Sequence, residues 1–117
     1  MLTLALPTRV FLYIPPADMR RGFDGLAGLV RDGLGHDPLS GSLFVFRSRR
    51  GDRLKLLWWD EDGFALWSKR LEAGTFRFPA VAAGRAGIEI RSADLAMILD
   101  GIDLDSVKRS KRYRRPA

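Results

Sequence analysis

The sequence predicts an α+β fold, a small antiparallel β-meander flanked by two helices. Three observations favour this class. Short runs of β-branched and aromatic residues alternate with turn residues through the middle of the chain. One stretch near each end of the body spaces its apolar residues three and four apart, as a helix does. The length of 117 residues suits one domain with one core.

The first strand is predicted at residues 10–14, where Pro15 and Pro16 end it. A helix follows, with Asp18 as its expected N-cap and an apolar stripe from Phe23 to Leu34. Four glycines fall within this predicted helix, Gly22, Gly25, Gly28 and Gly33, and each weakens it by up to about 1 kcal/mol relative to alanine. We therefore expect this helix to depend on tertiary packing.

The meander itself is predicted at residues 43–46, 54–59 and 64–71. A basic hairpin loop joins the first two strands, and an acidic turn that ends at Gly63 joins the last two. Residues 88–90 form a further short strand. Ser92 is expected to cap the final helix, with Asp94 near its positive end, and Gly101 ends it.

The charge is distributed unevenly along the chain. Residues 1–107 hold 14 Lys and Arg and all 14 Asp and Glu, so the whole net charge of +6 lies in the last ten residues. We expect one domain at residues 1–107 and a disordered basic tail at 108–117. The tail either binds nucleic acid or only adds solubility, and its cations are Lys108, Arg109, Lys111, Arg112, Arg114 and Arg115.

Catalytic chemistry has little support in the residues. Cysteine is absent and His36 is the single histidine, which argues against a zinc site and a catalytic triad. The acids of the turn at residues 60–62 are consecutive and point in different directions, unlike the ligands of a two-metal centre. No phosphate-binding glycine motif occurs. We expect no enzyme, no cofactor and no metal, and the absence of a signal pattern or a long apolar run predicts a cytoplasmic protein without membrane contact.

Two groups of residues are candidates for binding. Five cations fall within nine residues, opposed by one acid, and either contact phosphates or are simply solvated: Arg47, Arg49, Arg50, Arg53 and Lys55. Trp58 and Trp59 should face opposite sides of a strand, so one enters the core and the other is partly exposed. A second candidate set, for stacking on a base or anchoring a partner, is Trp59, Trp67 and Arg70. The alternative is that the tryptophans are buried against the helices.

Several segments together resemble one known family. They are residues 18–26 (DMRRGFDGL), 37–41 (DPLSG), 43–52 (LFVFRSRRGD), 57–60 (LWWD), 69–72 (KRLE), 76–79 (FRFP) and 95–102 (LAMILDGI). In this order they resemble the small accessory protein, labelled TnpB, from the second reading frame of bacterial insertion-sequence family sixty-six. The basic tail departs from the family's pattern.

The resemblance implies a protein encoded beside a DDE transposase, needed for efficient transposition and without an agreed active site. We expect a non-enzymatic accessory protein that binds DNA, either transposon ends or any sequence, or assembles with the transposase and other proteins of the element. The alternative is a pure protein–protein adaptor, and RNA binding would use the same charges. Open edge strands make a homodimer plausible. The expected location is the cytoplasm, at the nucleoid if DNA is bound.

Overall fold

The computed structural model describes residues 9–105, which form one five-stranded sheet between two helical layers. The strands are β1 Val10–Tyr13, β2 Leu43–Arg47, β3 Arg53–Asp60, β4 Gly63–Arg70 and β5 Gly87–Ile90. Helix α1, Phe23–Gly28, continues directly as a π-helical segment, Leu29–Leu34. Helix α2 is Ser92–Leu99. The predicted α+β class is confirmed.

The strand order is β4-β3-β2-β1-β5. Strands β2, β3 and β4 form the predicted antiparallel meander, whereas β1 lies parallel to β2 and β5 is antiparallel to β1. The sheet is therefore mixed, which the prediction of a purely antiparallel meander did not include. The reason is α1: a helical crossover returns the chain to the end where β1 began, so β2 must run in the same direction.

Both faces of the sheet are covered, and the core has two halves. On one face, α2 contributes Leu95 and Ile98, and the segment after β4 contributes Phe76 and Phe78. On the other face, α1 and the π-helical segment contribute Leu26, Ala27 and Val30. Because β2 is covered on both sides, its residues 43–46 are all buried.

Asp18 is not the N-cap of α1, so that prediction is wrong. Gly22 occupies the N-cap position, and no side chain caps the helix there. The Asp18 carboxylate instead accepts a hydrogen bond from the Arg20 backbone N–H at 2.9 Å and three from the Arg20 guanidinium. These bonds hold a turn that precedes the helix, and they hold the pKa of Asp18 down, to about 2.

The end of the first helix packs closely on β1. A Cβ placed on Gly33 would lie 2.9 Å from Cε1 of Tyr13, so only glycine lets the ring lie directly on the helix backbone. Gly35 then ends the segment in the left-handed conformation, with φ at 67°. Neither helix within residues 9–105 has the length and apolar character to cross a membrane.

Arg91, not Ser92, occupies the N-cap position of α2, and no side chain at that position caps the helix, so that prediction is wrong. The predicted placement of Asp94 is confirmed, because its carboxylate accepts a hydrogen bond from the Arg91 backbone N–H at 3.1 Å. The Arg91 guanidinium also contacts this carboxylate, and its hydrogen bond lowers the pKa of Asp94.

Candidate nucleic-acid interface

One end of the sheet gathers most of the exposed arginines of the described chain. Strands β1, β2 and β4 run in the same direction, so the loops that leave them lie together. Backbone hydrogen bonds join these loops. The Ala17 N–H donates to the Arg47 carbonyl at 2.9 Å. In the same way, the Leu71 N–H donates to the Asp52 carbonyl at 2.8 Å and the Phe76 N–H to the Gly51 carbonyl at 2.7 Å. We call this surface the cationic end, and its exposed arginines are Arg20, Arg21, Arg49, Arg50, Arg53, Arg70 and Arg77.

The arginines of the cationic end differ in how they are paired. Arg20 and Arg70 form ion pairs with Asp18 and Glu72 at 2.7 and 3.1 Å. Arg77 lies 4.0 Å from Asp103. Within residues 9–105, the guanidinium groups of three further arginines form no ion pair and no hydrogen bond: Arg49, Arg50 and Arg53. Their charge is open to a partner.

The loop that carries Arg49 and Arg50 is held in shape by its own contacts. Gly51 has φ at 78°, and a Cβ on it would lie 3.3 Å from Cβ of Thr75. The Ser48 hydroxyl donates to Asp52 at 3.2 Å and accepts from the Arg53 backbone N–H at 3.1 Å. The loop therefore presents its arginines from a fixed backbone, which lowers the entropy lost when they bind.

Arg47 has a different environment from the rest of its predicted set. Its guanidinium lies over the Phe78 ring, 4.2 Å from the ring centre, and donates to the Phe76 carbonyl at 3.3 Å. Burial lowers the pKa of Arg47. The side chain is thus used within the protein, where it joins the segment after β4 to the sheet.

Lys55 is also used within the protein. Its Nζ donates to the carbonyls of Met19 and Arg21 at 2.7 and 2.9 Å. These bonds tie the loop after β1 to the middle of the meander and so help to place Arg20 and Arg21 at the cationic end. Of the five predicted loop cations, three point to solvent and two support the surface.

Like charges also face each other across the hairpin of β3 and β4. Arg53 lies directly opposite Arg70 in the β3–β4 register. Such a pair of like charges repels, and an anion placed between them would remove that cost. Two open clefts flank the loop, one of about 420 Å³ lined by Arg50 and Arg77 and one of about 450 Å³ lined by Arg20 and Arg21. Arg49 borders both clefts.

The predicted aromatic set does not form one surface. Trp59 stands on the α1 face of the sheet, edge-on to Phe64 with 5.1 Å between ring centres, whereas Trp67 borders the core on the α2 face. Arg70 lies six residues along β4 from Phe64, about 20 Å away at the usual rise of a strand. Trp58 and Trp59 do face opposite sides, but both are half-buried, because β4 leaves this edge of the sheet open.

Other predicted groups lie away from the cationic end. The acidic turn at residues 60–62 is at the opposite end of β3 and β4. His36 packs against the Phe11 ring at 4.1 Å between centres. Within the described residues no group of three or more metal-ligating side chains converges. The tail cations, from Lys108 to Arg115, lie outside the described residues.

Sequence reasoning missed three arginines of this surface. Arg20 and Arg21 reach it because β1 and β2 are parallel, which puts the loop after β1 beside the loop after β2. Arg77 reaches it because Phe76 and Phe78, on either side of it, are buried. Alternation of buried and exposed residues at 76–78 was the available signal for Arg77.

Fold and site together define a class: a small α+β domain whose loops gather exposed arginines at one end of a mixed sheet. Comparison with known proteins assigns this domain to a family. The chain belongs to the IS66 Orf2 like proteins, whose family model matches residues 8–109. Membership supports a role as an accessory protein of transposition, and the family is not a known catalytic one.

Two relatives come from Sinorhizobium fredii strain NGR234. The uncharacterized protein y4jC is 40% identical over 108 residues, which cover 92% of this chain and 90% of the relative. The uncharacterized protein y4hO is 44% identical over 95 residues, which cover 81% of each chain. No solved structure matches the chain.

Proposed function

We propose that the protein is a non-enzymatic accessory factor of transposition that binds duplex DNA through its cationic end. The observation that carries this proposal is the set of three exposed arginines, Arg49, Arg50 and Arg53, without a side-chain partner in the described part of the chain. Arginine guanidinium groups match phosphate oxygens in a bidentate geometry. The loop that presents Arg49 and Arg50 has a fixed backbone, so less entropy is lost when these arginines bind phosphate.

Phosphate contacts fix position but read no sequence. The proposed binding is therefore general for duplex DNA, and the transposase supplies recognition of the transposon ends. The basic tail at residues 108–117 adds six cations to the same interaction. A protein bound to bacterial DNA works in the cytoplasm, at the nucleoid, and that is the proposed location.

The experiment is fluorescence anisotropy with a transposon-end duplex, a random duplex and a double-stranded RNA, each across a salt series. The test variant carries Arg49→Ala and Arg50→Ala. We expect weaker binding to both DNA duplexes alike and a log–log salt slope that is less steep by about 2. The free energy of unfolding should change by no more than about 1 kcal/mol per arginine, since exposed charges contribute little.

The control is Arg9→Ala combined with Arg31→Ala, which removes the same charge from two exposed arginines outside the cationic-end set; Arg9 precedes β1 and so lies at the opposite end of the sheet. This control should bind DNA more tightly than the test variant. Equal losses in both variants would show that only net charge matters. No binding of any nucleic acid at low salt, together with co-purification with the transposase, would favour the adaptor. Tighter binding of RNA than of DNA would favour the third hypothesis.

Contact with the transposase is the second part of the proposal. Trp59 and Phe64 form a half-buried aromatic pair at the end of the sheet opposite the arginines. A partly exposed tryptophan is a common anchor in protein interfaces. A Trp59→Ala variant that still binds DNA but no longer co-purifies with the transposase would support this assignment.

Self-association is the third part. Strand β4 is an edge of the sheet, and an edge strand is a template for pairing with another chain. Sedimentation that gives a monomer at high micromolar concentration would remove this part and leave DNA binding untouched.

A further inference from the structure

The backbone of β4 offers an open row of hydrogen-bonding groups. Asp60 and Gly63 flank a two-residue turn, so they form a hydrogen-bonded pair, and so does every second pair along the hairpin. The other residues of β4 direct their N–H and C=O groups to the open edge: Phe64, Leu66, Ser68 and Arg70. Within residues 9–105 no strand pairs with this edge.

Strand β4 lacks most of the features that prevent an edge strand from pairing with another chain. The strand is eight residues long, contains no proline, and stays in unbroken register with β3 from Arg70 to Gly63, so no bulge twists it away. Its apolar residues from Phe64 to Trp67 are half-buried on both faces of the sheet. A strand added at this edge would cover them.

The charges along β4 have a direction. The turn before the strand is acidic, with Asp60, Glu61 and Asp62, and the strand ends in two cations, Lys69 and Arg70. An identical strand laid antiparallel places acids beside bases at both ends of the contact. A parallel strand places acids beside acids and bases beside bases. The charges of β4 therefore complement those of a second copy only in the antiparallel arrangement. A two-fold axis between the two copies gives this arrangement.

The side chains favour one register. With Ala65 on the two-fold axis, Ser68 lies opposite Asp62 of the second copy, and Lys69 then lies beside the acidic turn of that copy, where its chain leaves β4 for β3. Trp67 then lies opposite Gly63 of the second copy, where no side chain obstructs the indole ring and an aromatic side chain covers the glycine. Small residues at the axis let the two backbones approach to hydrogen-bonding distance.

We infer that two copies of this chain pair antiparallel through β4 and so form a continuous ten-stranded sheet. The inference rests on the proposed self-association and specifies its surface. The contact is one strand wide, smaller than a standard interface, so dissociation constants in the micromolar range are expected. In this register the two Arg70 residues are ten steps apart along the strand, about 34 Å, which is close to one turn of B-DNA.

The experiment is analytical sedimentation of the full chain, without DNA, over a concentration series. Ser68→Pro removes an N–H that points to the open edge and leaves the bonds to β3 intact, because Ser68 is an exposed residue of the outward-directed set. Ser68→Thr is the matched control and keeps that N–H. We expect the proline variant to dimerise at least roughly tenfold more weakly and the threonine variant to behave as the parent.

Charge exchange tests the register. Lys69→Glu and Glu61→Lys should each weaken the dimer by roughly tenfold, and the double variant should restore it, since each reversed charge then meets its opposite on the second copy. A parent that dimerises with no change in Ser68→Pro and no rescue in the double variant would overturn the β4 interface alone. A parent that stays monomeric would overturn self-association as well. Thermal melting of each variant shows that it is folded, and if the proline variant is not, the charge exchange decides.

Discussion

Replacing Lys55 by methionine separates a supporting residue from a DNA contact. The apolar stem is kept, and the two bonds from Nζ to the Met19 and Arg21 carbonyls are lost. A hydrogen bond from a charged donor contributes about 1.5–3 kcal/mol. The bond to Met19 is partly buried and counts nearly in full, whereas water can replace the exposed bond to Arg21. The expected loss of unfolding free energy is therefore about 2–3 kcal/mol.

For a chain of this length, 1 kcal/mol corresponds to about 4 °C, so Tm should fall by about 8–12 °C. Urea unfolding and calorimetry measure the two quantities. The control is Arg53→Met on the same face of β3, whose guanidinium has no partner within residues 9–105; its stability should change by less than about 0.5 kcal/mol. If Lys55→Met were as stable as the parent but bound DNA more weakly, Lys55 would be a phosphate contact and the structural role would be refuted.

Three further predictions concern pH, a turn and the tail. The pKa of Asp18 lies near 2, below its ordinary value, so its ion pair stabilises the fold above about pH 4 and is lost as the pH falls towards 2; carbon NMR should show this midpoint, and Arg20→Ala should raise it. Gly51→Ala should cost about 1–2 kcal/mol in urea unfolding, more than Gly74→Ala, because both have positive φ but only Gly51 lies against Thr75; equal costs would refute the packing argument. Deletion of residues 108–117 should flatten the salt slope of DNA binding by up to about 5 with little change in Tm; an unchanged slope would make the tail a solubilising appendage.

The meander could be predicted because alternation and turn residues are local signals. Residues 64–70 alternate between the two faces of the sheet as their spacing requires. The direction of β1 could not be predicted in this way, since a strand of three buried residues and one half-buried residue shows no alternation between the two faces of the sheet. Asp18 was misassigned for a related reason: an aspartate before a helix can bond a backbone N–H in a turn as well as at an N-cap.

For the site, residue type identified the loop but not the function of each cation. Arg49 and Lys55 look equivalent in the sequence, and only the packing of the loop after β1 gives Lys55 two carbonyl partners. Arg47 likewise becomes structural because Phe78, 31 residues later, packs under it. No local sequence pattern predicts contacts between residues so far apart in the chain, so the cationic end could be predicted only in part.

The position of β1 has a consequence for how the chain folds. Val10 pairs on one side with Leu43 and on the other with Ile90, so the first strand made becomes the second-last strand of the sheet. Until residues 87–90 have left the ribosome, β1 keeps one hydrophobic edge unpaired. Contacts so distant in sequence slow folding, and an unpaired edge invites aggregation. A chain that stops before β5 could thus hold every arginine of the cationic end and still fail to reach the native state.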